Sequence, residues 1–158
     1  MKKCLSLILV LVLMLGLIGC KKQQTFSFYY PRTEILYGVN DGVIAPEERK
    51  VEVSDPSLDF LLKLYLEGPV SQDLRTPFPK GTALTGLKFQ EDSIYVLLSP
   101  SFNLLEDLNY VIACACIAST CFALTGANSV TVATGQTEMT LTREALYQSD
   151  YTAGLSPD

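Results

Sequence analysis

The chain has 158 residues, which is enough for one domain with a sizeable hydrophobic core. It carries 12 basic and 17 acidic residues, and this acidic balance argues against nucleic-acid binding because no basic stripe is present to neutralise phosphates. It contains no histidine, which excludes Ser-His and Cys-His catalytic pairs and removes the commonest metal ligand.

Residues 1–19 predict a lipoprotein signal peptide. Lys2 and Lys3 precede an apolar run over residues 5–18, which is too short for a mature membrane-spanning helix. The run ends in the lipobox-like sequence LIGC, in which small Gly19 precedes the cysteine that would be lipidated. We therefore expect Cys20 to carry palmitate or a similar lipid on the extracytoplasmic face of the cell membrane. An uncleaved anchor is the alternative, and it leaves the domain on the same side.

Residues 20–25 are expected to form a lipidated tether. Two or three acyl chains bury enough CH₂ groups for stable attachment. Removing Lys2 and Lys3 from the 12 basic residues leaves 10 against 17 acidic ones, a net charge near −7 for the mature chain. Such a domain is expected to stand clear of an anionic membrane.

A single domain is expected over residues 26–147, followed by a flexible tail over residues 148–158. Its first strand is predicted over residues 26–30, where aromatic and small side chains alternate. A second short strand is predicted over residues 35–39, and the Asn-Asp-Gly sequence that follows is a hairpin signal.

An extended segment over residues 43–53 carries a charged cluster, Glu47, Glu48, Arg49 and Lys50. The simplest interpretation is a solvated strand edge whose charges discourage stray pairing. A contact with a partner through Arg49 is the alternative.

The next element is predicted to be a helix with both ends marked. Asp55 can cap it, Pro56 suits the first helical position, and Gly68-Pro69 forms a stop. One face of this helix is apolar because four side chains fall at i, i+3, i+4 and i+7, namely Leu58, Leu61, Leu62 and Tyr65.

A proline-containing loop then leads to a predicted β-hairpin. Its strands are expected over residues 83–89 and 93–98, joined by the polar turn at residues 90–92. The apolar face of the preceding helix is expected to cover this sheet.

Three ordered motifs run through this central segment: LLKLYLEGP, then PFPKGT, then a hairpin closing on LLSPSF. Together they resemble the GerMN domain of bacterial sporulation and spore germination lipoproteins, over roughly residues 26–134. Leu98 departs from the family pattern, which has an aspartate before the serine. The positions that fit the family spacing are Leu61, Leu62, Leu66, Gly68, Pro69, Pro79, Gly81, Thr82, Ser99 and Phe102.

A second helix is predicted from Asn103, which has a reciprocal acid three residues on, to a stop at Thr125-Gly126. Its charge-free stretch, residues 110–124, is too short and too rich in small and polar residues for a membrane span, so a core helix is favoured. The face expected to be buried comprises Leu105, Leu108, Ile112, Ala115 and Phe122. A closing strand over residues 129–134 and a short helix or strand over residues 138–146 complete the domain.

Cys114, Cys116 and Cys121 all lie in the second predicted helix. Helical spacing keeps any two of them from the geometry that a disulfide requires. With no histidine nearby, we expect them to pack as small hydrophobic side chains rather than to bind a metal, and no cofactor is expected.

The order of elements predicts an α+β fold, a two-layer sandwich with two helices on one face of a mostly antiparallel sheet. The GerMN resemblance implies the same arrangement, similar to that of ring-building modules.

No catalytic motif accompanies this fold. The chain lacks G-x-S-x-G, P-loop and G-x-G-x-x-G sequences. Its paired acids, such as Glu91-Asp92 and Glu106-Asp107, fall in turns or at helix starts, where acids are expected anyway. We therefore expect a protein that is not an enzyme.

Arg75 and Lys80 are the better candidates for partner binding, because a proline-stiffened loop presents side chains at low ordering cost. The alternative is that the loop over residues 70–81 only covers the sheet edge. The resemblance implies docking onto extracytoplasmic envelope, sporulation or germination proteins, with self-association possible.

The competing hypothesis is a module that binds a wall polymer or a small ligand. It requires an exposed aromatic or polar groove, and the clustered aromatic candidates are Tyr29, Tyr30 and Tyr37.

Overall fold

A computed structural model describes residues 23–34 and 42–146. The predicted signal peptide, Cys20 and the tail lie outside these residues. The strand expected over residues 35–39, and Tyr37 with it, lie outside them as well.

The described residues form two β-sheets and two α-helices. β1 (Gln24–Pro31) and β2 (Ile44–Val51) make an antiparallel ribbon, followed by α1 (Leu58–Leu66). The hairpin of β3 (Leu84–Gln90) and β4 (Ser93–Leu98) leads into a short 3₁₀ turn (Pro100–Leu104) and α2 (Asp107–Thr125). β5 (Ser129–Ala133), β6 (Glu138–Thr142) and a helical turn at residues 143–146 follow.

Four strands form one sheet in the order β3-β4-β5-β6. Both hairpin pairs are antiparallel, whereas β4 and β5 are parallel because α2 crosses over between them. The predicted α+β class with mostly antiparallel strands is confirmed. The strands are divided between two sheets, since β1 pairs with β2 and not with the hairpin.

Alternation along β4 and β5 gives the larger sheet its core face. Ile94 pairs with Val130 and Val96 pairs with Val132, and all four side chains are buried.

α1 begins two residues later than predicted. Ser57 is the N-cap, and its side-chain oxygen accepts a hydrogen bond from the Phe60 N–H at 3.2 Å. Asp55 instead has a left-handed backbone (φ 56°) and lies in the turn before the cap. The predicted stop is confirmed, because the helix ends before Gly68, whose φ of 100° suits glycine.

The predicted start of α2 is wrong, and its predicted end is correct. The chain first forms the 3₁₀ turn, so the α-helix starts only after Glu106, and Asn103 is not its cap. Gly126 closes the helix with a left-handed φ of 76°. The predicted burial of Leu108 is also wrong, because 68% of this residue is exposed.

The middle of α2 is buried on nearly all sides. It packs against β1 of the ribbon and against β5 and β6 of the sheet, and residues 113–118 and 120–122 are buried. Packing between two sheets explains why these residues show no polar face. With a mean hydropathy of 1.7, α2 has the length and composition of a membrane span, yet nine of its residues lie in the core.

Side chains of both helices hold one position on β1. The Tyr29 N–H donates to Thr120 Oγ1 at 2.9 Å, and the Tyr65 hydroxyl donates to the Tyr29 carbonyl at 2.8 Å. Pro46 lies opposite Tyr29 in the ribbon and has no N–H to offer, so these Tyr29 groups point away from β2. The ribbon is thereby fixed to the helices.

Candidate functional site

Glu47 and Arg49 are neighbours on the inner face of β2. Arg49 Nε lies 2.5 Å from Glu47 Oε1. The other carboxylate oxygen accepts hydrogen bonds from the backbone N–H groups of Val70 and Ser71, at 2.9 and 2.7 Å. Glu47 therefore ties β2 to the start of the loop after α1.

The Arg49 guanidinium faces inward over the end of α1. It donates to the Tyr30 hydroxyl at 3.1 Å and to the carbonyl oxygens of Leu64 and Gly68. These carbonyls lie at a helix C-terminus, where intrahelical partners run out. Arg49 thus donates hydrogen bonds to backbone carbonyl groups at the end of α1.

The predicted solvated cluster is wrong for two of its four members. The Glu47 and Arg49 side chains are only 9% and 11% exposed, while Glu48 and Lys50 are exposed. Strand alternation was the available signal, since both inner residues share a face with Ala45 and Val51. Little of Arg49 remains accessible, and the hydrogen bonds that it donates are internal.

Of the aromatic candidates on β1, Tyr30 belongs to the core and Tyr29 is half-buried. Tyr30 is fully buried beneath Arg49, and its ring centroid lies 4.8 Å from that of Tyr65. Burial raises the pKa of the Tyr30 hydroxyl well above its ordinary value, with the nearby Arg49 charge opposing this effect. Tyr30 therefore offers no exposed ring to a wall polymer.

A small cleft lies beyond the far end of β1. Its volume is about 290 Å³. It is lined by Pro31, by residues 75–79 of the loop before β3, and by Leu105, Asn109 and Ile112 at the start of α2. The Arg75 N–H donates to the Pro31 carbonyl at 2.9 Å, which fixes this part of the loop on the strand end.

The structure places the three predicted partner-binding residues in different surroundings. Arg75 is exposed and lines the cleft, and Lys80 is exposed one residue beyond the lining. Arg49 belongs to the internal network described above.

An exposed apolar surface lies beside the cleft. We define it as Leu104, Leu108, Val111 and Ile112; the first three are 74%, 68% and 42% exposed, and Ile112 is half-buried at the cleft wall. The last three follow helical spacing along one side of α2. Sequence reasoning missed this surface because it assigned Leu108 and Ile112 to a buried face.

The cysteines of α2 carry no reactive chemistry in the folded state. Cys114, Cys116 and Cys121 are free thiols in the core, and burial raises the pKa of each to about 12. Within residues 23–34 and 42–146, no three histidine, cysteine or acidic side chains cluster as metal ligands.

A family model described as "Germane: Sporulation and spore germination" matches residues 27–149, most of the chain. The chain belongs to this family. The predicted resemblance to sporulation and germination proteins is thereby confirmed, and the matched residues include β2 to β6, both helices and the cleft.

Comparison with individual proteins adds nothing to the Germane assignment. No curated protein matches this chain. Among solved structures, a 2.5 Å crystal structure from Clostridium perfringens, named "Putative Lipoprotein", is similar with a TM-score of 0.43 and 16% identity. The similarity covers 80% of this chain and 93% of that one.

Proposed function

We propose that the protein is a non-enzymatic lipoprotein, anchored through Cys20, whose Germane domain docks onto other extracytoplasmic proteins of sporulation, germination or the envelope. Membership of the Germane family supports the cellular context. The LIGC sequence at the end of the apolar leader supports the anchor.

The observation that carries the docking role is the apolar surface beside the Arg75 cleft. Isolated exposed hydrophobic residues are ordinary, but a contiguous apolar patch with a polar rim is typical of an interaction site. Leu104 in the 3₁₀ turn and Leu108 in the first turn of α2 expose most of their surface, whereas nine residues that lie further along the same helix are buried. Packing of the core gives no reason for large aliphatic side chains there.

The shape of the cleft favours a protein partner over a small ligand. Its volume of about 290 Å³ lies at the lower end of the range for small-molecule pockets, roughly 300–1,000 Å³. Such a space suits one or two partner side chains. Three prolines, Pro31, Pro77 and Pro79, line it and keep its form before binding.

Site-specific photocrosslinking in cells tests this proposal. A photoreactive amino acid replaces Leu108 in one strain and Phe89 in the other, and adducts are collected in growth and in starvation. Phe89 is the matched control, because it is apolar, 60% exposed and located on β3. We expect protein adducts at position 108 and not at position 89.

Two results would contradict the docking role. Equal adducts at both positions would mean that capture is unspecific, and wall fragments without protein at position 108 would favour the polymer-binding module.

A further inference from the structure

Arg75 is the charged group of the cleft. Among the described residues that line it, Arg75 alone carries a charge. Its exposed side chain has no hydrogen-bond or ion-pair partner within residues 23–34 and 42–146. Burial raises the pKa of the Cys116 thiol, and the Arg75 charge opposes this effect.

Acidic side chains flank the cleft lining on both walls: Asp73 is exposed two residues before Arg75 on the loop, and two more lie at the start of α2. Glu106 and Asp107 are exposed there and favourable to the helix dipole, and neither forms an ion pair with Arg75. Lys80 adds a second cation on the loop side. Arg75 and Lys80 outnumber Asp73 on the loop, so the loop wall is net positive on a domain whose overall charge is negative.

A partner that covers the apolar surface would also exclude water from the Arg75 guanidinium. A guanidinium that loses water without gaining an anion is strongly unfavourable, whereas a carboxylate offers it two parallel hydrogen bonds. A partner that fits this site must therefore combine apolar side chains for α2 with an acidic side chain for Arg75.

We propose that the docking surface, defined as the apolar surface together with the Arg75 cleft, receives an acidic amphipathic segment of another protein. Apolar side chains of that segment pack on Leu104, Leu108 and Val111, and one carboxylate pairs with Arg75. This inference rests on the docking role proposed above and specifies the chemistry of the partner.

Selection from a random peptide display library tests this chemistry. The target is the mature chain with Cys20→Ser, which is produced without lipid, and peptides that also bind Leu108→Ser are removed. We expect the selected peptides to combine aspartate or glutamate with large apolar residues.

Synthetic copies of the selected peptides then test the role of Arg75. We expect Arg75→Gln to weaken binding about 10- to 100-fold, as loss of a charge-assisted pair does. Arg75→Lys should restore part of the affinity. Lys88→Gln is the matched control, because Lys88 is exposed on β3 and should leave binding unchanged.

The outcomes separate this inference from the function on which it rests. If the selected peptides are neutral or basic and bind Arg75→Gln equally well, but not Leu108→Ser, the inference of an acidic partner is wrong and the docking surface still stands. Absence of any enriched peptide would also overturn the inference of an acidic partner.

Failed crosslinking at Leu108 would overturn the docking role itself. A dimer that sedimentation detects, and that Leu108→Ser abolishes, would make a second copy of the chain the occupant and overturn the inference.

Discussion

Glu47 is a buried carboxylate that stays ionised more readily than a free one. Burial acts to raise its pKa, but hydrogen bonds from the Ser71 and Val70 N–H groups and the Arg49 guanidinium outweigh burial and lower it. The unfolded chain then binds a proton at a higher pH than the folded one. Glu47 therefore stabilises the fold above its unfolded pKa, and this contribution is lost as pH falls through the folded pKa.

Glu47→Gln should lower the free energy of unfolding by about 3–5 kcal/mol at neutral pH, because it leaves the Arg49 charge buried without its partner. The variant should also lose less stability than the wild type as pH falls below about 5, where a free glutamate begins to protonate. Chemical denaturation at several pH values measures both effects. Glu48→Gln, on the exposed face of the same strand, is the control, and an equal loss in that variant would contradict a specific role for Glu47.

Thr120 links α2 to the ribbon by accepting a hydrogen bond from the Tyr29 N–H. Thr120→Val keeps the side-chain shape but removes the acceptor for the Tyr29 N–H, so we expect a loss of about 1–3 kcal/mol in the free energy of unfolding. Urea denaturation compares it with Thr140→Val on the exposed face of β6, which should change stability little. If both variants lose the same stability, the Tyr29 contact is not the cause.

At the scale of elements, the start of α2 and the rest of the helix differ in solvent exposure. Ile117 is 1% exposed between the sheets, whereas Leu108 is 68% exposed. We expect Ile117→Val to cost about 0.5–1.5 kcal/mol and Leu108→Ser to change stability by no more than about 0.5 kcal/mol. Thermal denaturation of both variants tests this division, and a large loss for Leu108→Ser would show that its side chain supports the fold.

The loop between α1 and β3 gives a second prediction at this scale. Arg75→Glu combined with Lys80→Glu should leave the melting temperature nearly unchanged, because both side chains are exposed, and should abolish partner capture by charge repulsion. Crosslinking at position 108 in this background measures capture. Undiminished capture would exclude these two cations as part of the contact.

Local signals in the sequence predicted much of the fold. The β3–β4 hairpin and the ends of both helices were correct within a few residues, since turns and glycine stops depend on neighbouring residues. The start of α2 was not, because Asn103 instead accepts hydrogen bonds from Thr134 and Thr137, far along the chain.

The site was predicted only in part, because it too depends on contacts between segments that are far apart in the chain. A proline-stiffened loop pointed to Arg75, but the apolar surface became visible only when the exposed start of α2 was separated from its buried half. Strand alternation could have placed Arg49 on the inner face, but its acceptors, the carbonyl groups at the end of α1, lie too far along the chain for a local pattern to identify.

At the scale of the whole molecule, the core protects its thiols. Cys114, Cys116 and Cys121 are fully buried, and burial raises their pKa to about 12, so almost no thiolate is present at neutral pH. In the mature Cys20→Ser chain, we expect a thiol reagent such as Ellman's to label none of the three in the folded state and all three in denaturant. Rapid labelling without denaturant would contradict this packing.

The lengths of the tether and of β1 limit how far the Pro31 end of the cleft can lie from the bilayer. For a chain anchored at Cys20, the tether to Gln24 extends by about 14 Å at most, and the seven steps from Gln24 to Pro31 add about 24 Å. The cleft begins at Pro31, so this wall of the cleft stays within about 40 Å of the lipid surface however the tether turns. A partner whose binding segment lies further from the lipid surface than this distance could contact the cleft only by bending toward the membrane.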